Sequence, residues 1–190
     1  MSGAFVEVVS ADALSRRVNQ LGEQIAHDYA GEVPVMVGVL KGCLPFVADL
    51  GRAMACDVQI DFITLTRFGE DDGRVSVALD TAVQLEGRHV LIAEDIVDTG
   101  LTLAALHRLL EVRGPASIRT VTLLDKAPRR IVDVPVEYRG FEIGDEFLLG
   151  YGLDWEGWYR NVPSIWAVMD LGVLQEDPLA FASAALDRSL

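Results

Sequence analysis

Pro34 to Leu40 reads "PVMVGVL", a nearly continuous apolar run. A strand with apolar side chains on both faces must be covered on both, as happens in parallel sheets flanked by helices. Its neighbours in sequence can supply those helices. Ala11 to Tyr29 places Leu14, Val18, Leu21 and Ile25 on one face at helical spacing. Leu44 to Met54 returns to that spacing, and Pro45 suits a first turn. Val58 to Thr66 is rich in β-branched and aromatic residues and predicts a strand. The polar "FGEDDGR" after it predicts a loop or hairpin tip, with Val75 to Leu79 as the returning strand. Val90 to Ala93 and Ile118 to Leu124 predict further buried strands. Between them, Thr102 to Val112 predicts a helix, with Leu103, Leu106 and Leu110 on one side and Gly114 as its stop. This alternation predicts an α/β fold, a doubly wound parallel sheet with right-handed crossovers.

After Lys126 the pattern loosens into short strands at Val136–Tyr138, Phe147–Gly150 and Ile165–Met169, read as a small C-terminal hood on the core. Leu179 to Leu190 predicts a short terminal helix. The expected organisation is a single domain, residues 1–190. Its core is at residues 30–125, and its hood at 126–170 includes the N-terminal segment. The tail at 171–190 has no assigned role.

Half of the residues, 51%, are hydrophobic, which places the chain among globular proteins and not disordered ones. The net charge of -13 argues against a nucleic-acid or anionic-membrane surface, which needs a basic patch. A small anionic substrate remains compatible, since a few local cations or a metal can hold one. Cys43 and Cys56 make no disulfide framework, and His27, His89 and His107 are scattered with no zinc spacing. The opening "MSGAFVEVVSADAL" lacks the basic flank and long apolar run of a signal peptide. No stretch is apolar for long enough to span a membrane. The expected location is the cytoplasm.

The segment Val90 to Leu103, "VLIAEDIVDTGLTL", sets acidic groups where a buried strand gives way to a helix. In open α/β sheets, ligands bind beyond the carboxyl ends of the strands, and Glu94 and Asp95 are expected there. Asp98, Thr99, Gly100 and Thr102 would form a turn that opens a helix. Such a turn offers backbone N–H groups, hydroxyls and a positive helix end, which together suit a phosphate. Adjacent carboxylates beside a phosphate suit ribose hydroxyls or magnesium. A plainer reading stands beside this one: Asp98 or Thr99 caps the helix, and Glu94 and Asp95 are merely solvated.

The whole run, in this order, resembles the phosphoribosyl-diphosphate-binding motif of the type I phosphoribosyltransferases, and the rest resembles their hypoxanthine-guanine branch. The resemblance extends from Val37 to Met169. "VGVLKGCLPFVADL" resembles the family's pyrophosphate loop, "VTLLDKAPRR" its purine-selecting segment, and "GFEIGDEFLLGYGLDWEGWYRN" its hood. The implied activity transfers 5-phosphoribosyl from phosphoribosyl diphosphate to a 6-oxopurine, hypoxanthine or guanine, with Mg2+, as in purine salvage. A dimer or tetramer is also implied.

The resemblance implies a role for each matching residue. Glu94 and Asp95 hold the ribose hydroxyls, directly or through metal, while Asp98 faces the purine and manages the proton on its five-membered ring. Thr99, Gly100 and Thr102 bind the 5′-phosphate, with the amide of Leu101 between them. In the pyrophosphate loop, Leu40, Lys41 and Gly42 aim amides and an ammonium at the anion, with the peptide before Lys41 able to be cis. Lys126 donates to the exocyclic oxygen of the base, Phe147 stacks on it, Ile96 covers its other face, and Leu148 offers backbone groups to its edge. Asp154 ligates a second magnesium, and Arg160 grips the pyrophosphate with its planar fork. As lone residues, Lys41 and Arg160 could as well be a surface lysine and a surface ion-pair partner.

The match departs in the mobile loop, "LTRFGEDDGRV", where Arg67 stands at a serine position and Phe68 at a tyrosine position. The loop is also short, and of a Lys-Asp pair expected near Leu79 it keeps only Asp80. Closure through Arg67 is the expectation. Two other readings share the fold: a nucleotide-sensing regulatory protein, and an enzyme of specialised metabolism acting on an unusual base. The acidic composition disfavours RNA binding, whereas Asp98, Lys126 and Phe147 favour catalysis on a purine.

Overall fold

A computed structural model describes residues 3–68 and 74–186. Strand β1 (Phe5–Val9) leads into helix α1 (Ala11–Asp28), whose N-terminus Ser10 caps by accepting from the Ala13 amide at 3.3 Å. Strand β2 (Val35–Val39) is buried at every position. Helix α2 (Leu44–Ala53), with Pro45 in its first turn, crosses to β3 (Gln59–Phe68), and β4 (Arg74–Leu79) returns antiparallel to it. Strand β5 (His89–Val97), helix α3 (Leu101–Glu111), β6 (Ser117–Asp125) and β7 (Tyr138–Glu142) complete the core.

The core sheet has six strands in the order β4-β3-β2-β5-β6-β7, parallel throughout except at the β4 edge. Alternation sends neighbouring residues to opposite faces. Met36, Leu91 and Ala93 join the apolar faces of α1 and α2, Leu14, Val18, Leu21, Phe46 and Leu50 among them. Val35, Val37, Val90 and Ile92 meet Leu103, Leu106 and Leu110 of α3 on the other side. Helices thus cover both faces, which is why β2 can be apolar throughout.

The hood is a separate three-stranded sheet in the order β1-β9-β8, where β8 is Phe147–Leu149 and β9 is Ile165–Val168. Its outer side carries α4 (Leu171–Glu176) and α5 (Ala182–Ala185). Phe181, fully buried between them, packs against Phe5, Tyr159 and Trp166 with ring centroids 4.9–5.7 Å apart.

Three expectations change. Strand β7 begins at Tyr138 and pairs in parallel with β6, so it belongs to the core and not to the hood. Glu94 and Asp95 lie within β5, which continues to Val97 because Glu94, Ile96 and Val97 keep their register with Thr122, Leu124 and Asp125. The expected terminal helix from Leu179 is reduced to α5, and α4 precedes it. Residues 69–73 and 187–190, which include most of the expected hairpin tip and the last turn of that helix, lie outside the described residues.

Candidate active site

The carboxyl ends of β5 and β6 are fastened together, the Lys126 amide donating to the Val97 carbonyl at 2.9 Å. Beyond them the chain turns into α3 at Gly100, whose φ of +82° is a left-handed value natural to glycine. A Cβ there would also lie 2.8 Å from the Val132 carbonyl oxygen. Gly100 is the N-cap and has no side chain to offer, while Thr99 Oγ1 accepts from the Leu101 amide at a long 3.5 Å, a weak form of the capping role that the plainer reading gave it. The Thr99 carbonyl accepts from the Ile131 and Val132 amides at 2.9 and 3.2 Å, bracing the turn from the segment after β6.

Two clefts of about 410 and 520 Å³ open at these strand ends. Glu94, Asp98, Thr99, Gly100 and Thr102 line the first, against α3. The second lies under the hood, and Asp95, Lys126, Phe147, Leu148 and Asp154 converge on it. Ile96, Asp98 and Arg129 line both. Lys126 is only 6% exposed, and its ammonium donates to the Glu146 carbonyl at 2.6 Å, which aims it into the second cleft. Burial pulls its pKa below the ordinary lysine value, and the nearby Asp98 charge opposes that. Phe147 is held edge-on by Trp155, with centroids 5.6 Å apart.

Glu94 and Asp95 pay for their place in a buried strand. Burial, and then the charge of Asp95, raises the Glu94 pKa well above the ordinary glutamate range. Burial likewise raises Asp95 to about 6, although its carboxylate accepts from the Ile96 amide at 2.9 Å. Each is a desolvated carboxylate at a cleft, Glu94 at the first and Asp95 at the second, and suits a hard cation whose charge would relieve the group it meets. No cluster of three or more His, Cys, Asp or Glu able to hold a metal exists among the described residues. Magnesium commonly binds through one or two carboxylates plus substrate phosphates, so this donor set fits it. Asp154 is engaged otherwise here, accepting from the Gly157 amide at 2.7 Å and pairing with Arg160 at 2.6 Å.

The loop after β2 carries a cis peptide at Leu40–Lys41, as expected. Lys41 is exposed and Gly42 is buried. Gly42 sits where a Cβ would be 1.6 Å from Asp95 Oδ2, and the hood's Gly152 is where a Cβ would be 1.9 Å from the Gly42 carbonyl oxygen. The loop therefore meets the hood backbone to backbone, and meets the strand end through the Asp95 carboxylate. Arg160 secures the junction by donating to the Gly152 carbonyl at 2.6 Å.

Leu40, Lys41, Gly42, Leu101 and Arg160 do not line the two clefts, although Gly42 touches Asp95 and Arg160 pairs with Asp154, which do. The side chains of Arg67 and Phe68 lie outside those described, although their backbone extends β3 beyond its expected end. Asp80 is bound by Arg113 in a two-pronged ion pair, at 2.7 and 3.0 Å, and so has a structural partner. Sequence reasoning missed Arg129, Asp145, Leu153 and Leu171 as lining residues. "KAPRR" carried a signal for Arg129, a guanidinium three residues from the selected lysine, whereas Leu171 offered none.

Comparisons with known proteins agree with this geometry. A model of the phosphoribosyl transferase domain matches residues 7–156. The hypoxanthine-guanine phosphoribosyltransferase of Streptococcus pneumoniae is 39% identical over 90% of this chain and 93% of its own. That of Bacillus subtilis is 40% identical over 83% of this chain and 89% of its own. A crystal structure of a hypoxanthine-guanine phosphoribosyltransferase from Bacillus anthracis, with HEPES in the active site, superposes with a TM-score of 0.83 at 42% identity. That match covers 86% of this chain and 98% of the other. With the strand-end carboxylates, the glycine turn that opens α3 and the buried lysine in place, the chain belongs to the hypoxanthine-guanine phosphoribosyltransferase family.

Proposed function

We propose that this protein transfers 5-phosphoribosyl from phosphoribosyl diphosphate to hypoxanthine or guanine, releasing pyrophosphate and the nucleoside monophosphate, as in purine salvage. One observation carries the reading. A single cleft holds a buried ammonium (Lys126), an aromatic face (Phe147) and a carboxylate (Asp98), and it adjoins the phosphate turn. An ammonium has donors only, so Lys126 favours the exocyclic oxygen of a 6-oxopurine over the amino group of adenine.

In the reaction a purine ring nitrogen forms a bond to C1′ of the ribose while the bond from C1′ to pyrophosphate breaks. Asp98 takes the ring proton. Thr99, Gly100, Leu101 and Thr102 hold the 5′-phosphate at the N-terminus of α3, where backbone amides and the helix dipole attract an anion. Leu40, Lys41, Gly42 and Arg160 receive the pyrophosphate, and Ile96 and Leu148 complete the walls around the base. Magnesium, when bound through Glu94, Asp95 and Asp154, supplies charge to the leaving pyrophosphate and order to the ribose hydroxyls. The residues mainly orient two reactants and exclude water.

No helix among the described residues is long and apolar enough to cross a membrane. The same reading puts the protein in the cytoplasm as a homo-oligomer, dimer or tetramer, without nucleic-acid or membrane partners. The net charge of -13 supports the absence of polyanionic partners. The test is pyrophosphate release from phosphoribosyl diphosphate with hypoxanthine or with guanine, in the presence of magnesium. Release that depends on the purine is expected, and its absence would overturn the proposal.

A further inference from the structure

Arg129 has no role in the account so far, yet it lines both clefts. It is the one basic residue among the described residues lining the phosphate cleft, which otherwise presents the carboxylates of Glu94 and Asp98. A phosphate entering that cleft brings further negative charge, and amides at a helix N-terminus offset only part of it. Arg129 is not idle in the free protein. Its Nε lies 2.9 Å from Asp98 Oδ1, an ion pair whose geometry is not that of a hydrogen bond, so this buried oxygen keeps its acceptor capacity.

The adjacent arginine shows the contrast. Arg130 is 17% exposed at its side chain and is tied to the buried Asp125, which also pairs with Arg139 at 3.0 Å. Its Cδ packs behind the phosphate turn, 3.0 Å from where a Gly100 Cβ would be. Arg130 is therefore fixed scaffold. Arg129, 48% exposed at its side chain, has room to change partner. Exposed ion pairs contribute little, whereas a phosphate offers a guanidinium two parallel charge-assisted bonds.

We propose that Arg129 is a phosphate-binding residue that exchanges partners. In the free protein it rests on Asp98, and when the 5′-phosphate of phosphoribosyl diphosphate arrives it swings to the phosphate and leaves Asp98 facing the base. The exchange links the two clefts: occupation of the phosphate turn frees the carboxylate that takes the ring proton. This rests on the proposed phosphate site at Thr99–Thr102.

The test uses ribose 5-phosphate as the probe, titrated calorimetrically into the full chain, with Arg129→Gln and Arg129→Lys as variants. Loss of one charge-assisted contact predicts a ribose 5-phosphate Kd raised about 10- to 100-fold in Arg129→Gln. Arg129→Lys should recover part of the loss, and the Kd of Arg129→Gln should depend less on salt than that of the wild type. Thermal unfolding of each variant establishes that it is folded. Wild-type affinity in a folded Arg129→Gln, with only its turnover reduced, would make Arg129 a mere support for Asp98 and overturn the inference, while the phosphate site would stand. A wild-type protein that does not bind ribose 5-phosphate would overturn the phosphate site itself, and the inference with it.

Discussion

Gly42 offers a sharp perturbation, because the space that a single methyl would need is already occupied. In Gly42→Ala the new Cβ would lie 1.6 Å from Asp95 Oδ2 and 2.6 Å from its Cγ. Real Cβ contacts essentially never fall below 3.0 Å, so something must retreat by about 1.4 Å. The loop has little freedom to do so, since its Gly42 carbonyl is packed against the backbone of Gly152 in the hood. The Asp95 carboxylate, at the end of a side chain, gives way instead and loses its 2.9 Å bond from the Ile96 amide. Overpacking of this kind typically costs about 1–3 kcal/mol. Because the displaced group is a proposed ribose and magnesium ligand, the cost should fall on phosphoribosyl diphosphate binding. At 1.4 kcal/mol per tenfold, that is a Kd raised about 5- to 150-fold. Calorimetry with phosphoribosyl diphosphate and magnesium reads the affinity, and urea unfolding reads the stability. A Kd within about threefold of wild type, with the variant fully folded, would refute the reasoning.

Other expectations follow from the same geometry. Asp98→Asn keeps the side chain's size and loses its basicity, so turnover should fall about 100- to 10,000-fold while phosphoribosyl diphosphate binding changes little; equal losses in calorimetric affinity and rate would contradict this. Phe181→Ala empties the centre of the hood's outer cluster and should destabilise by about 3–5 kcal/mol in chemical denaturation, since Phe181 is fully buried. Burial raises the carboxyls of Glu94 and Asp95, the latter to about 6. The folded protein therefore binds their protons more tightly than the unfolded chain. Their contribution to stability is full below the ordinary carboxylate range; that of Asp95 is lost as pH rises through about 6, and that of Glu94 as pH rises through its own raised value. Thermal scans should show less of this loss in Asp95→Asn, and magnesium with pyrophosphate should stabilise more at about pH 7.5 than at about pH 5.

The legible part of the fold was the part with one dominant signal. Strand β2 is apolar at each position and is buried at each position. Helix α1 shows one apolar face, and Leu14, Val18, Leu21 and Ile25 are the residues it buries. Strand β5 was read too short because hydrophobicity stops at Ala93, whereas backbone pairing to β6 does not. A ladder of hydrogen bonds carries Glu94 and Asp95 into the sheet despite their charge, and that burial is what distinguishes them chemically. Strand β7 was assigned to the hood because a strand this short has little periodicity; its place is set by pairing with β6. Among site residues, those in dense local motifs such as Asp98 to Thr102 were legible. Arg129 was overlooked although it lies three residues from Lys126, because its place over the turn is set by folding, and Leu171 had no local signal, since its place is set by a tail anchored by Phe181 on the hood.

The central claim, phosphoribosyl transfer to a 6-oxopurine, is tested most directly by competition. The protein is incubated with magnesium, phosphoribosyl diphosphate and equal concentrations of hypoxanthine, guanine, xanthine and adenine, and the nucleotides formed are separated and quantified. The buried, donor-only Lys126 predicts that the hypoxanthine or guanine nucleotide dominates and that the adenine nucleotide is the minor product. Adenine as the preferred base, or no nucleotide from any of the four, would contradict the account.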